Sequence, residues 1–263
     1  MLTFLTGPVG AVRTEARLRF ARHLADVLEE PVEVFPTPTY GELSTALTRD
    51  AGDFAWLPPA VYARADDHVE LLLGGVRASR AHFRGALFVR DDTRFESLHD
   101  LQGTRVGWVD RNSCAGYLFP RLGLLENGVD PEALFREERF LGDHLSVVRA
   151  VEDGDVDVGA TFIHLAGDGA DAPVAGTGWE LEMPRDRMRM LGVSDPIPSD
   201  TLVAFPSTDP ARRAQFTEAL QSMHDAREGR RILGALFGVE RFEPVLPAHY
   251  DTVRRALRAG SSS

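Results

Sequence analysis

Residues 110–120, Asp-Arg-Asn-Ser-Cys-Ala-Gly-Tyr-Leu-Phe-Pro, have the types and spacing of an anion-binding turn. They follow the apolar run at 104–109, which indicates a buried strand, and a helical apolar spacing begins after them. Asn112 and Ser113 are both suitable helix N-caps. The first backbone N–H groups of such a helix lack intrahelical acceptors and lie at the positive end of its dipole, so they can hold an anion. An ordinary capped helix without a ligand is the alternative.

The elements that must position this turn alternate along the chain. We predict strands at 2–5, 32–35, 53–56, 71–73, 85–89, 104–109, 139–141, 156–160, 188–191 and 200–205. We predict helices near 20–28, 40–50, 115–126, 144–152 and 210–227, and from 230 onward. This alternation indicates an α/β fold with helices on both faces of its sheets. Anions in such folds bind outside the carboxyl ends of strands, where Ser113–Gly116 falls.

The apolar spacing also predicts which face of two helices is buried. In the first helix the expected core face consists of Phe20, Leu24, Val27 and Leu28. In the helix after the 110–120 turn it consists of Leu118, Leu122 and Leu125, with Asn127-Gly128 as the stop signal.

The composition limits the classes of function. The chain has 263 residues, 43% of them hydrophobic, and no apolar run approaches the roughly 18 residues of a membrane span. A net charge of −11 argues against a nucleic-acid partner. The single cysteine, Cys114, excludes an intrachain disulfide and a cysteine-based metal cluster. No signal peptide is recognisable after Met1, so we expect a cytoplasmic protein unless a leader was removed.

Residues 112–120, Asn-Ser-Cys-Ala-Gly-Tyr-Leu-Phe-Pro, resemble the Ser-Thr-Ser-Gly-Tyr-Leu-x-Pro signature of the PhnD-like phosphate-, phosphite- and phosphonate-binding proteins of ABC transporters. Further segments agree with that family in order and spacing: 98–103, 140–144, 150–159 and 195–200. The resemblance covers nearly the whole chain and is densest from 83 to 205.

The resemblance implies a two-lobed α/β type II periplasmic-binding-protein fold, with a ligand cleft between lobes joined by two crossover strands. We expect the crossovers near 84–90 and 200–205. Lobe 1 is then 1–85 plus 201–263 and lobe 2 is 86–200. Closure of the lobes over the ligand is expected as a hinge motion.

The resemblance also implies the oxyanion-binding residues. Ser113 and the backbone amides of Cys114, Ala115 and Gly116 match the loop that holds the phosphonate oxygens, although two hydroxyl donors of the usual signature are lost. His144 matches a histidine that donates to the same oxyanion, and the alternative is a capping or surface histidine. No metal and no cofactor is expected.

Three aromatic residues are assigned to the ligand by the same resemblance. Tyr40 matches a phenol from lobe 1, with a core or surface tyrosine as the alternative. Phe83 stands where the family commonly has a second tyrosine, which favours packing. Trp56 lines or supports the cleft or simply packs in the core.

The charged residues of the implied site bear on ligand choice. Asp200 matches a carboxylate facing the ligand, which requires a proton or a cation between it and the oxyanion; a turn cap is the alternative. His164 aligns with a second acid that holds the amine of aminoalkylphosphonates, so its presence disfavours an amine-bearing ligand. We expect Arg84 to face solvent, with a bidentate contact to the oxyanion as the alternative, and we expect Asp157 to be structural.

The predicted function is a monomeric solute-binding protein for a small phosphorus oxyanion (phosphate, phosphite or an alkylphosphonate), serving an ABC transporter permease. A sensor module acting on a signalling partner is a second possibility. The third is an enzyme on the same fold, with Cys114 as the nucleophile and His144 as its base. The chain has no Gly-x-Ser-x-Gly, His-Glu-x-x-His or phosphate-binding P-loop motif, which disfavours the enzyme.

Overall fold

The computed structural model describes residues 1–7, 14–77, 79–167, 169 and 171–260. The chain separates into two compact units. The first unit is Met1–Ala81 with Pro198–Asp251, and the second is His82–Ile197 with Thr252–Ser263. The predicted lobe boundaries lie a few residues from these positions. The C-terminal residues group with the second unit, whereas the sequence places them in lobe 1.

The first unit contains a six-stranded mixed sheet. Its strands, numbered along the whole chain, are β1 (Leu2–Thr6), β2 (Val32–Pro36), β3 (Phe54–Leu57), β4 (Glu70–Val76), β12 (Thr201–Ala204) and β13 (Arg241–Pro244). Their order is β13-β4-β12-β3-β1-β2. Strand β1 pairs in parallel with β2 and β3, while β12 is antiparallel to both β3 and β4. The carboxyl ends of β1, β2 and β3 therefore share one edge.

An aromatic core holds the helices of the first unit against this sheet. These helices are α1 (Thr14–Leu28), α2 (Tyr40–Thr48), α3 (Pro59–Ala65), α7 (Pro210–Ser222) and α8 (Arg227–Ile232). Phe4 of β1 contacts Phe20 of α1 edge to face at 5.1 Å, and Phe54 of β3 stacks on Phe216 of α7 at 3.7 Å. Large aromatic side chains bury much apolar area each, so these contacts anchor α1 and α7 to the same face of the sheet.

The second unit contains the sheet that carries the predicted anion turn. Its strands are β5 (His82–Arg90), β6 (Thr104–Trp108), β7 (Phe135–Phe140), β8 (Val158–Leu165), β9 (Val174–Thr177), β10 (Met188–Val193) and β11 (Ile197–Pro198). The main order is β10-β5-β8-β6-β7. Strand β6 runs parallel to both β7 and β8, so the carboxyl ends of these three strands meet at one edge.

In the described part of this unit, four α-helices accompany the second sheet. They are α4 (Phe119–Glu126), α5 (Pro131–Leu134), α6 (His144–Glu152) and α9 (Asp251–Gly260), of which α9 begins at the boundary of the unit. A π-helical turn, Cys114–Leu118, leads directly into α4. Among the described residues, no helix combines the length and the apolar character that crossing a membrane requires.

For two residues, Val27 and Leu125, the prediction of burial is wrong. Val27 is 51% exposed, because the buried stripe of α1 runs through Ala16, Phe20 and Leu24 at intervals of four. Leu125 is 42% exposed, and Leu124 is buried in its place. The π-helical turn before α4 explains the second error, since its wider turn changes the register of the residues that follow.

The sequence also misses short strands and shortens others. Strand β13 lies in the region predicted as helical, and β9 lies between the strands predicted at 156–160 and 188–191. Both are four residues long and pair with a neighbouring strand. Their extended conformation depends on this pairing more than on the alternation of apolar residues within so short a segment. Strand β8 continues to Leu165, five residues beyond the predicted end, and so carries Thr161 and His164.

Candidate anion-binding site

Two segments at the carboxyl edge of the second sheet are tied together by Val109, the residue after β6. Its N–H donates to Gly116 O at 3.1 Å, and its carbonyl accepts from Gly142 N at 2.9 Å. Gly142 lies two residues before His144, the first residue of α6. The hydrogen bonds of Val109 therefore hold the predicted anion turn beside the start of the helix that carries the predicted histidine.

The anion turn is built by Asp110 and Ser113. Asp110 accepts from Asn112 N through its side chain at 2.7 Å and from Ser113 N through its carbonyl at 2.9 Å. The Ser113 side chain, which is buried, caps the following turn by accepting from Gly116 N at 3.0 Å. Within the described part of the chain, the N–H of Ala115 has no acceptor. This N–H and the Ser113 hydroxyl proton are the donors that the turn can offer an anion.

Two glycines allow this turn to lie close to the strands. A Cβ on Gly116 would lie 2.3 Å from Val109 Cγ2, and a Cβ on Gly85 of β5 would lie 2.8 Å from Ala115 O. Real Cβ atoms do not approach so closely, so a side chain at either position would push the turn away from the sheet.

His144 is held by two residues of β8. Its Nδ1 lies 2.9 Å from Thr161 Oγ1, and its ring meets the Phe162 ring edge to face at 5.1 Å. Burial lowers the pKa of His144 to about 4, outweighing the opposite effect of the Asp143 carboxylate. The imidazole is therefore neutral at pH 7. Its Nε2 has no protein partner among the described residues.

Cys114 is buried in the π-helical turn. His144 contacts Thr161 and Phe162 rather than this thiol. The pair that the enzyme alternative requires is thus not formed in the structure. In the described ranges, no group of three or more His, Cys, Asp or Glu side chains could hold a metal ion.

An aromatic row extends from His144 along β8. Phe162 lies between His144 and His164, with its ring 5.5 Å from that of His164, and Phe83 of β5 lies 6.4 Å from His164 on the other side. The Phe83, Phe162 and His164 side chains are half-buried. The packing predicted for Phe83 is therefore with His164.

Tyr40 and Trp56 belong to the first unit and have different environments. Tyr40 begins α2 and is half-buried; its Cε1 lies 3.7 Å from the position of a Cβ on Gly7, just after β1. Trp56 is 9% exposed and stacks on Phe237 at 4.2 Å with nearly parallel rings. Of its two predicted roles, core packing is the one that these contacts describe.

Asp200, also in the first unit, forms a salt bridge with Arg77. Arg77 Nη2 donates to Asp200 Oδ2 at 2.6 Å and to Phe237 O at 3.0 Å. The Arg77 guanidinium also lies over the Trp56 ring, 5.8 Å from its centroid. This part-buried arrangement places a cation of the chain itself beside the carboxylate for which the sequence predicts a proton or a cation on the ligand side.

The two remaining charged residues have structural contacts. Arg84 does not face solvent as predicted: it is buried and donates to Ser194 O at 2.7 Å. Asp157 has the structural role expected of it. Its carboxylate accepts from the backbone N and the guanidinium of Arg105, and these hydrogen bonds lower its pKa despite partial burial.

Sequence reasoning missed Thr161, Arg77 and Gly85. The predicted strand ends at residue 160, so the sequence pattern does not place Thr161 in the sheet, although the candidate residue His164 is only three positions further along the chain. Arg77 follows Gly74-Gly75-Val76 at the end of β4 and is 123 residues from Asp200, so no local pattern links them. Gly85 follows the selected Arg84, but its closeness to the turn is visible only in three dimensions.

Comparison with known proteins identifies the family. Residues 11–250 match the family described as "ABC transporter, phosphonate, periplasmic substrate-binding protein". The chain is also 35% identical over 79 residues to the phosphate-import protein PhnD of Mycolicibacterium smegmatis. That alignment covers 27% of this chain and 24% of the relative's length.

Solved structures share the fold. PhnD1 from Prochlorococcus marinus, in complex with methylphosphonate, has a TM-score of 0.81 and 16% identity, over 98% of this chain and 97% of that one. A binding-protein component of an ABC phosphonate transporter from Pseudomonas aeruginosa has a TM-score of 0.80 and 20% identity, over 99% and 87%. The fold is thus that of type II periplasmic binding proteins, as predicted. The description of the family as periplasmic gives no support to the expected cytoplasmic location. The chain belongs to the phosphonate substrate-binding proteins of ABC transporters.

Proposed function

We propose that this chain binds a small phosphorus oxyanion, namely phosphate, phosphite or an alkylphosphonate without an amine, and delivers it to an ABC transporter permease. The observation that carries the proposal is that two sets of donors lie at the carboxyl edge of β6, β7 and β8, on segments joined by the hydrogen bonds of Val109. One set is the Ser113 hydroxyl and the Ala115 N–H of the Cys114–Gly116 turn; the other is the uncommitted Nε2 of neutral His144.

These donors suit an oxyanion because each is neutral and already positioned. The turn is fixed by Val109, Asp110 and Gly85, so little ordering is needed when a ligand arrives. Neutral N–H and O–H donors can share the charge of a tetrahedral anion, as they do at helix N-termini. The negative net charge of the chain does not oppose this, since local donors govern a site.

The absence of an amine from the proposed ligand is supported by Arg77. Its guanidinium lies 2.6 Å from the Asp200 carboxylate, so an ammonium group is not needed to balance that charge. His164, in place of the second acid, offers no carboxylate to an amine. We therefore propose that Asp200, paired with Arg77, does not select an amine-bearing ligand.

Isothermal titration calorimetry tests the proposal. The ligands are phosphate, phosphite, methylphosphonate and 2-aminoethylphosphonate, with sulfate and chloride as anion controls. We expect at least one phosphorus oxyanion to bind in the micromolar range or tighter, and Ser113→Ala to weaken it about tenfold. If none binds more tightly than millimolar, the proposed function is wrong.

A further inference from the structure

We infer that Thr161 is a positioning residue that holds His144 in the tautomer protonated at Nε2. The inference deepens the proposed function, because it concerns the donor that His144 offers the oxyanion. It adds to the site a residue that never contacts the ligand in this scheme. Its effect is to decide whether His144 presents an N–H group or a lone pair.

The hydrogen bond between the Thr161 hydroxyl and His144 Nδ1 assigns the tautomer of His144. The Thr161 side chain is fully buried, and within the described residues Oγ1 has one partner, His144 Nδ1 at 2.9 Å. If Nδ1 carried the proton, the hydroxyl would accept it and its own proton would be buried without an acceptor, which is costly. If the hydroxyl donates, Nδ1 accepts and both groups are satisfied. The neutral ring then carries its proton on Nε2.

The surroundings keep the hydroxyl in place. A Cβ on Gly178 would lie 2.1 Å from Thr161 Oγ1, so the backbone of Gly178 closes the space behind the hydroxyl. On the histidine side, the edge-to-face contact with Phe162 restricts the ring. A ring fixed by packing and by one hydrogen bond has a defined direction for its second nitrogen.

The charged and titratable groups around the ring are consistent with a neutral donor. Asp143 precedes His144, but its carboxylate accepts from the backbone N of Ser146 at 2.8 Å and from its hydroxyl at 3.1 Å. Along β8 the next titratable group is His164, beyond the Phe162 ring. The N-terminal position of His144 in α6 also disfavours an imidazolium. The opposite tautomer would point an Nε2 lone pair at the oxyanion, turning an attractive contact into a repulsive one.

The test combines NMR of the ligand-free protein with calorimetry. Long-range ¹H–¹⁵N spectra of wild type should show protonated Nε2 and unprotonated Nδ1 for His144 at pH 7. Thr161→Val, which replaces the hydroxyl by a methyl group, should give mixed tautomers and weaken phosphate and methylphosphonate binding about tenfold. Thr161→Ser should restore both the tautomer and the affinity.

Thr104→Val is the matched control. Thr104 is a buried threonine of the same unit whose hydroxyl donates to Leu101 O, so its loss should lower stability without changing the His144 tautomer or the affinity. An Nδ1-protonated His144 in wild type, or wild-type affinity in Thr161→Val, would overturn the inference. Because the tautomer is read without ligand, failure of all the oxyanions to bind would refute the proposed function separately.

Discussion

At the scale of single residues, the turn differs from the family signature in having Cys114 and Ala115 where hydroxyl side chains are usual. The structure explains how such changes are accommodated. The Cys114 side chain is buried, and the donors of this turn come from its backbone and from Ser113. The sequence could predict Ser113 as the cap because the capping preference is local.

We predict that Cys114→Ser preserves oxyanion binding within about threefold, because the side chain at this position supplies no essential donor. Calorimetry with phosphate and methylphosphonate measures the effect. Ser113→Ala is the contrasting variant, since it removes the cap on Gly116 N and should weaken binding about tenfold. Discovery of a turnover activity that Cys114→Ser abolishes would replace the binding-protein assignment with the enzyme.

His144 should make folding stability depend on pH. Its pKa is about 4 in the folded protein and near 6.5 when unperturbed, so the unfolded chain binds more protons between these values. The part of the free energy of unfolding that is linked to His144 is fully present above pH 6.5. It is lost as the pH falls toward 4, by up to about 3 kcal/mol. Urea denaturation at several pH values, compared between wild type and His144→Asn, measures it. Parallel stability curves for the two proteins would contradict the lowered pKa.

At the scale of elements, the site depends on how closely the π-helical turn approaches β5 and Val109. The sequence predicts a helix start at the right place, but not the π-helical turn or the glycine contacts behind it. Local propensities describe one element at a time, whereas these contacts join residues of different elements. The exposed Leu125 has the same origin, since the register of α4 follows from the turn before it.

Gly85→Ala should destabilise the second unit by about 1–3 kcal/mol and weaken oxyanion binding, because its Cβ would meet Ala115 O and Pro120. Thermal unfolding and calorimetry measure the two effects. Gly123→Ala is the matched control: it lies in α4 with nothing within 4 Å of its Cβ, so it should stabilise by up to about 1 kcal/mol and leave binding unchanged. Equal behaviour of the two variants would show that close packing at Gly85 does not position the turn.

At the scale of the whole molecule, the alternation of strands and helices, together with linked family motifs, was sufficient to predict the fold class and the edge that carries Ser113 and His144. Pairs far apart in sequence were not predictable in this way. Arg77 and Asp200 lie in separate strand regions, and neither neighbourhood indicates the other. The sequence predicts a proton or a cation between Asp200 and the oxyanion, and it does not indicate the Arg77 guanidinium that the folded chain places beside this carboxylate.

The last prediction concerns ligand choice. Wild type should bind methylphosphonate at least as tightly as 2-aminoethylphosphonate, because Arg77 balances Asp200 and His164 offers no carboxylate. Arg77→Gln leaves Asp200 without its cation, so the preference should move about tenfold toward the amine-bearing ligand. Arg77→Lys should keep the wild-type preference, and the double variant Arg77→Gln with Asp200→Asn should restore the wild-type preference.

His164→Glu should favour the amine-bearing ligand independently of Arg77. A clear preference of wild type for 2-aminoethylphosphonate in calorimetry would contradict this account and return aminoalkylphosphonates as the leading ligand class.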